Sequence, residues 1–180
     1  MSLICVHGRE FRPFIDEQSI KARVTELGRE IDRDYNGRNP LFIAILNGSF
    51  VFASDLFRCL TIEAEISFIK LASYMGASST GNVITAIGMD ENINDRHVVI
   101  LEDIVDTGYT LKHVLEILET RHPRRMEVCA LLNKPSRRET DVTARWVGFD
   151  IPDKFVVGYG IDYAQRNRNL PHIGAVRFTD

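Results

Sequence analysis

The 180-residue chain has little cysteine, no strong charge of either sign and no long apolar run. Its three cysteines, Cys5, Cys59 and Cys129, are far apart and odd in number. That speaks against a disulfide framework and shows no metal-binding spacing. Cys59 and Cys129 lie in apolar runs, as expected of reduced, buried thiols in a cytoplasmic protein. No apolar stretch approaches the ~20 residues that span a bilayer, and the first residues lack the basic-then-apolar pattern of a secretion signal. A net charge of −3 gives no basis for nucleic acid or an anionic membrane as main partner. The Gly-Lys-Ser/Thr of a P-loop and the Gly-x-Gly-x-x-Gly of a Rossmann fingerprint are both missing. So are repeats and low-complexity tracts.

What is present points to one α/β domain. Hydrophobic residues make up 44% of the chain, enough for a substantial core. The most informative stretch runs from His97 to Thr110. Val98-Val99-Ile100-Leu101 reads as a buried parallel strand. Glu102 and Asp103 stand at its carboxyl end, Asp106-Thr107-Gly108-Tyr109-Thr110 follows, and Leu111, Val114, Leu115 and Leu118 then recur at helical spacing. In open α/β sheets such a strand–loop–helix corner is where ligands sit. Amides at the helix start favour an anion, and Thr107 and Thr110 add hydroxyl donors, so the loop suits a phosphate. The two acids would repel that phosphate unless they hold a cation or accept hydrogen bonds from the ligand. A sugar phosphate with Mg²⁺, which favours carboxylate oxygen, satisfies acids and loop together.

The rest of the chain alternates strands and helices. Residues 2–6 read as a short strand or arm. Ile15 to Tyr35 reads as a helix capped by Asp16, with Ile20, Val24, Leu27 and Ile31 as its apolar stripe. Leu41 to Leu46 is a second buried strand, followed by Asn47-Gly48-Ser49 and a helix from Phe50 to Cys59. That second corner belongs at the same sheet edge as the first, so two phosphate groups could be held side by side. Ala64 to Leu71 reads as a strand, residues 72–81 as a mobile arm or lid, and Val83 to Ile87 as its return strand. Met126 to Leu132 is another buried strand, ending in Asn133-Lys134-Pro135. Residues 136–145 are charged and irregular, 146–162 form an aromatic–glycine segment, 162–171 a polar loop, and Ile173 to Phe178 a closing strand. The expected fold is a doubly wound, mainly parallel sheet flanked by helices. Within one domain, 1–180, the core covers about 36–150, the hood about 1–15 and 151–180, and a flexible lid completes it.

Hydrophobics, two acids, two apolar residues and Asp-Thr-Gly-x-Thr together resemble the phosphoribosyl pyrophosphate signature of the type I phosphoribosyltransferases. Leu46 to Ser49, Ser73-Tyr74 with Ser79 to Gly81, Leu132 to Lys134 and above all Pro152 to Asp162 extend the match. From Leu41 to about Gly174 the chain is similar to the 6-oxopurine members of that family, the hypoxanthine-guanine phosphoribosyltransferases. The resemblance implies transfer of phosphoribose to hypoxanthine or guanine, with release of pyrophosphate. It implies that Glu102 and Asp103 accept from the ribose hydroxyls and bind Mg²⁺, and that Asp106 takes the purine N7 proton. Asp106, Thr107, Gly108, Tyr109 and Thr110 then hold the 5′-phosphate. Lys134 donates to the purine O6, Phe155 stacks on the base, Val156 offers backbone groups to its edge, and Asp162 accepts from the exocyclic group or binds a second Mg²⁺. Asn47, Gly48 and Arg168 hold pyrophosphate, and Ser73 and Tyr74 belong to the lid. Many members carry lysine where this chain has Asn47, so pyrophosphate here relies more on backbone amides and Arg168. The family also holds the bond that is Leu46–Asn47 here as a cis peptide.

Plainer readings stand beside these. Glu102 and Asp103 could be exposed strand-end acids, Asp106 an N-cap, Lys134 and Arg168 surface cations and Phe155 a core residue. At the level of function, the alternatives are a transferase preferring xanthine or adenine and a regulatory nucleotide- or RNA-binding protein that kept the phosphoribosyl site. The resemblance implies a homodimer or homotetramer, and cysteine usage and net charge point to a cytoplasmic chain without nucleic-acid or membrane partners.

Overall fold

The computed structural model describes residues 4–6, 9–74, 83–88 and 90–176. Six strands form the main sheet: β3 (Leu41–Leu46), β4 (Glu65–Tyr74), β5 (Val83–Ile87), β6 (His97–Val105), β7 (Arg125–Asn133) and β8 (Trp146–Asp150). Their spatial order is β5-β4-β3-β6-β7-β8. Five strands run parallel and β5 pairs antiparallel with β4. From β3 the chain passes to β4 on one side and later returns to β6 on the other. The β3–β6 seam is therefore the point where strand order reverses, the usual ligand crevice of a doubly wound sheet.

The middle stretches of the central strands are continuously apolar because both faces are covered. On one face Phe42, Ala44, Val99, Leu101 and Cys129 pack with Val24, Leu27 and Ile31 of α1 (Glu17–Tyr35) and Phe52 and Leu56 of α2 (Phe50–Cys59). On the other, Leu41, Ile43, Ile45, Val98, Ile100 and Val128 meet Leu111, Val114 and Leu118 of α3 (Tyr109–Glu119). Asp16 caps α1, accepting from the Ser19 amide at 2.8 Å and the Ser19 hydroxyl at 2.9 Å. Among the described residues no helix is long and apolar enough to cross a membrane.

A second, four-stranded sheet of order β1-β2-β10-β9 joins the chain ends: β1 (Ile4–Val6), β2 (Arg9–Ile15), β9 (Val156–Val157) and β10 (Ile173–Val176). Two elements differ from expectation. Arg9–Ile15 is a strand although it is charged and contains Pro13. Its partner β10 shifts register between Ile173 and Gly174, opposite Pro13, which is where a proline can be tolerated inside a sheet. Trp146–Asp150 is a parallel edge strand of the main sheet, where the sequence suggested only a compact aromatic segment. The closing strand is described to Val176. Residues 75–82, with Ser79, Thr80 and Gly81 of the expected lid, lie outside the described residues; Ser73 and Tyr74 end β4.

Candidate active site

β3 pairs with β6 only as far as Ala44↔Leu101. Beyond that register the two strands part, and the next residues of β6 are Glu102 and Asp103. The strand runs on through both acids to Val105, beyond the end of its apolar run at Leu101. Neither is an exposed strand-end acid. The Glu102 Oε2 atom is out of contact with solvent and has no hydrogen-bond partner. Burial first, and the Asp103 charge second, push the Glu102 carboxyl well above its ordinary range. Asp103 is raised to about 6 by burial, opposed by the Ile104 amide that donates to its Oδ1 at 2.9 Å. Gly108 caps α3 in the left-handed conformation, with φ +93°. This aims the open amides of the first helical turn toward the loop after β6.

The corner after β3 closes over the acids. The Leu46–Asn47 peptide is cis, as the family resemblance implied. Asn47 is exposed, while Ser49 is fully buried and donates its hydroxyl to the Ile45 carbonyl. A side chain at Gly48 would run into the Asp103 carboxylate, and one at Gly160 would run into the Gly48 carbonyl. Gly160 also has φ +97°. Hood, loop and acid are thus stacked in direct contact. Tyr159 reinforces the stack by donating its hydroxyl to Asp55 of α2 at 2.6 Å.

Lys134 is not a surface lysine: it is 5% exposed. Its amide donates to the Val105 carbonyl at 3.0 Å, which sets it beside the following residue, Asp106. Its Nζ lies 3.1 Å from Asp106 Oδ2 and 3.5 Å from Asp153 Oδ1. Arg137 Nε donates to the other Asp106 oxygen at 3.2 Å. Burial would raise the Asp106 carboxyl, but the hydrogen bonds from Lys134 and Arg137 outweigh it and hold it below its usual range. Asp106 does not cap α3; Gly108 occupies that position.

Across the corner, Phe155 is 41% exposed and therefore not plain core, with its ring edge-on to Tyr163 at 5.3 Å. Val156 is buried in β9. Arg168 is not an isolated surface cation. Its Nη2 pairs with Asp162 Oδ1 at 2.7 Å and its Nη1 donates to the Gly160 carbonyl at 2.8 Å. Asp162 also accepts from the Gln165 amide at 2.7 Å.

The sequence reading left residues 136–145 without a role, yet they buttress the phosphate corner. Arg138 donates to the carbonyls of Asp106, Val105 and Val142 at 3.2, 3.3 and 2.9 Å. Glu139 N and the Thr140 hydroxyl both donate to the Thr107 carbonyl. The available signal was the basic run Lys134-Pro135-Ser136-Arg137-Arg138 directly after the carboxyl end of β7, the same sheet edge as the loop.

An ion such as Mg²⁺ fits this donor set. The partnerless buried oxygen of Glu102, the raised Asp103 and their hard oxygen chemistry all favour a divalent cation. Among the described residues no group of three or more metal-binding side chains gathers. The rest of such an ion's coordination would come from water or from oxygen atoms of a bound ligand.

Two neighbouring acids, a helix start with open amides and a lysine–aspartate pair at a sheet switch point suit group transfer from a phosphorylated sugar. A model of the phosphoribosyl transferase domain matches residues 15–164, and the chain belongs to that family. It is 48% identical to the hypoxanthine phosphoribosyltransferase of Escherichia coli, over 92% of this chain and 95% of that one. It is 40% identical to the hypoxanthine-guanine phosphoribosyltransferase of Bacillus subtilis, over 91% of each. Its fold superimposes on the crystal structure of a hypoxanthine-guanine phosphoribosyltransferase from Bacillus anthracis with a TM-score of 0.85 at 41% identity, covering 92% of this chain and 98% of that one.

The buried acids carry a folding cost with a definite pH dependence. An acid with a raised folded-state pKa keeps a proton that the unfolded chain has already lost. Stability therefore falls as pH rises from the unfolded value of 3.8 through about 6. Glu102→Gln and Asp103→Asn remove that cost. In chelator and without ligand, each variant is expected to melt above the parent at pH 8 by roughly 2–4 °C, the shift that ~1 kcal/mol makes in a chain this size. The difference should shrink toward pH 4. Calorimetry showing parent and variants equal at pH 8 refutes the electrostatic burden.

Proposed function

We propose that this chain transfers the 5-phosphoribosyl group from phosphoribosyl pyrophosphate to N9 of hypoxanthine or guanine, giving IMP or GMP and pyrophosphate. The reaction belongs to purine salvage and the activity is that of a pentosyltransferase. The observation that carries this reading is the Lys134–Asp106 contact of 3.1 Å at the edge of the phosphate corner. A 6-oxopurine protonated at N7 presents an acceptor, O6, next to a donor, N7–H. Inserted between Lys134 and Asp106, that edge replaces one internal hydrogen bond by two. An ammonium can only donate and an ionised carboxylate can only accept, so the pair reads this edge and no other.

The steps follow. The bond from ribose C1 to pyrophosphate breaks, positive charge grows on the sugar, and N9 forms the new bond to C1. Glu102 and Asp103 stabilise that charge by accepting from the ribose hydroxyls. The N7 proton passes to Asp106, which the neighbouring cations keep ionised and ready to accept. The loop Asp106–Thr110 holds the 5′-phosphate through amides and hydroxyls. Phe155 stacks on the purine, Val156 and Asp162 meet its other edge, and Asn47, Gly48 and Arg168 hold the pyrophosphate. The Asp162–Arg168 ion pair of 2.7 Å supports this by placing the guanidinium close to the Asn47–Gly48 corner through Gly160. Ser73 and Tyr74 would belong to a lid that excludes water. Mg²⁺, held by Glu102 and Asp103 with Asp162 for a second ion, supplies charge neutralisation for the polyphosphate when bound. The 180 residues are taken as one domain, working in the cytoplasm as a homodimer or homotetramer.

Asp106→Asn is expected to lower turnover about 10²–10⁴-fold, the usual worth of a general base, with the KM for phosphoribosyl pyrophosphate changed much less. Near-normal turnover removes Asp106 from the chemistry.

The reaction should require Mg²⁺, because Glu102, Asp103 and a polyanionic substrate otherwise repel one another. Steady-state rates that survive excess chelator would count against metal-assisted binding.

The deciding measurement is kcat/KM for four purines on one preparation. Hypoxanthine and guanine should be used. Adenine offers a 6-amino donor to the buried Lys134 donor, and an unpaired buried donor costs roughly 1–3 kcal/mol. Xanthine, with an acceptor where guanine has its 2-amino group, should be poorer than guanine. Adenine within about tenfold of hypoxanthine, the low end of that cost, overturns the role of Lys134 and the 6-oxopurine reading with it.

A further inference from the structure

Asp106 is held from two sides by cations of different freedom. Lys134, on Oδ2, has a side chain only 7% exposed; Arg137, on Oδ1, has one 45% exposed. Both come from one short turn. Pro135–Arg137 form a single 3₁₀ turn directly after β7, with the Arg137 amide donating to the Lys134 carbonyl at 3.1 Å. Asp153 stands opposite and is shared by the same cations, 3.5 Å from Lys134 and 3.8 Å from Arg137. Two positive and two negative charges thus form a closed, neutral quartet. Arg138 adds a third cation, its guanidinium donating to the Asp106 main-chain carbonyl at 3.2 Å. Glu139 is the remaining anion acting on Arg137.

A purine that draws Lys134 to its O6 takes away one of the two partners of Asp106. The carboxylate then needs something else to keep it ionised and to aim its free oxygen at N7. We infer that Arg137 does this: it is a positioning residue that stays on Oδ1 while Lys134 leaves Oδ2, so that Oδ2 receives the N7 proton. Asp153 sets the strength of that hold by drawing Arg137 partly away. The inference rests on Asp106 as the base and on Lys134 as the group that meets O6. It adds the residue that makes the exchange possible without loss of the carboxylate's charge or aim.

The test is the pH dependence of kcat for hypoxanthine in Arg137→Gln, Arg137→Lys and Asp153→Asn, with Asp106→Asn as reference. Removing the guanidinium charge should move the acid limb of the profile up by about one pH unit. Arg137→Gln should then lose about tenfold in kcat on that limb and recover most of it above the limb. The KM for phosphoribosyl pyrophosphate should change less than about twofold, since Arg137 is not among the residues assigned to its phosphates. Arg137→Lys, which keeps the charge, should leave the limb within a few tenths of a unit of the parent's. Asp153→Asn keeps Arg137 and removes an anion, so its limb should move down, and this variant serves if Arg137→Gln does not fold. An unmoved limb in Arg137→Gln, or the same loss at every pH, overturns the inference. If Asp106→Asn is at the same time nearly inactive, the base assignment survives and only the role of Arg137 falls. If Asp106→Asn is fully active, the failure lies in the base assignment.

Discussion

The site depends on holding two half-buried carboxyls, Glu102 and Asp103, at the seam where β3 and β6 part, with the Glu102 Oε2 atom out of water. Left alone they oppose folding, because each is buried near a like charge and one oxygen has no partner at all. The rest of the fold supports this arrangement. The apolar strands β3, β6 and β7, covered on both faces, provide the burial that offsets it. A buried carboxyl oxygen without a partner is also a point of unsatisfied affinity for cations and hydroxyl donors. Stability is reduced at the acids proposed to bind, as expected of a functional site.

The purine side of the proposed site uses the opposite device. Lys134, Arg137, Asp106 and Asp153 satisfy one another before any ligand arrives. On the proposed reading, binding there would exchange hydrogen bonds, and discrimination would come from what an incorrect base leaves unpaired. The two halves of the site differ because their ligands do. A sugar polyphosphate brings charge that must be neutralised, whereas a neutral purine brings only a pattern of donors and acceptors.

The two sheets meet at these halves. Gly160 of the hood lies against the Gly48 carbonyl, Gly48 lies against Asp103, and Arg168 reaches the Gly160 carbonyl while pairing with Asp162. A shift of the hood would therefore be felt at the acids within a single chain of contacts. This is how a small appended sheet can bear on a corner built by the main one.

Much of this was legible in the sequence, for physical reasons that can be named. Both-face burial forces continuous apolar runs, so Leu41–Leu46 and Val98–Leu101 declare themselves as central strands. The Asp16 cap and the stripe Ile20, Val24, Leu27, Ile31 fix α1 to within two residues of its observed start. The acids and Asp106–Thr110 stand out because few uses but phosphate binding ask for that composition at a strand end. Other features depend on partners far away in the chain. Arg9–Ile15 is a strand only because β10 shifts register opposite Pro13. Trp146–Asp150 joins the sheet because β7 offers it an edge. Lys134 is buried, Arg137 is bound to Asp106, Asp162 is paired with Arg168 and Arg138 braces the loop only once β6, β7 and the hood are brought to one edge. The sequence by itself determined the periodicities and the local chemistry of each corner, since these are properties of neighbours along the chain. Tertiary structure alone decided which charges lost their water and which found partners, because solvation and pairing are set by what packs against a residue, not by what precedes it.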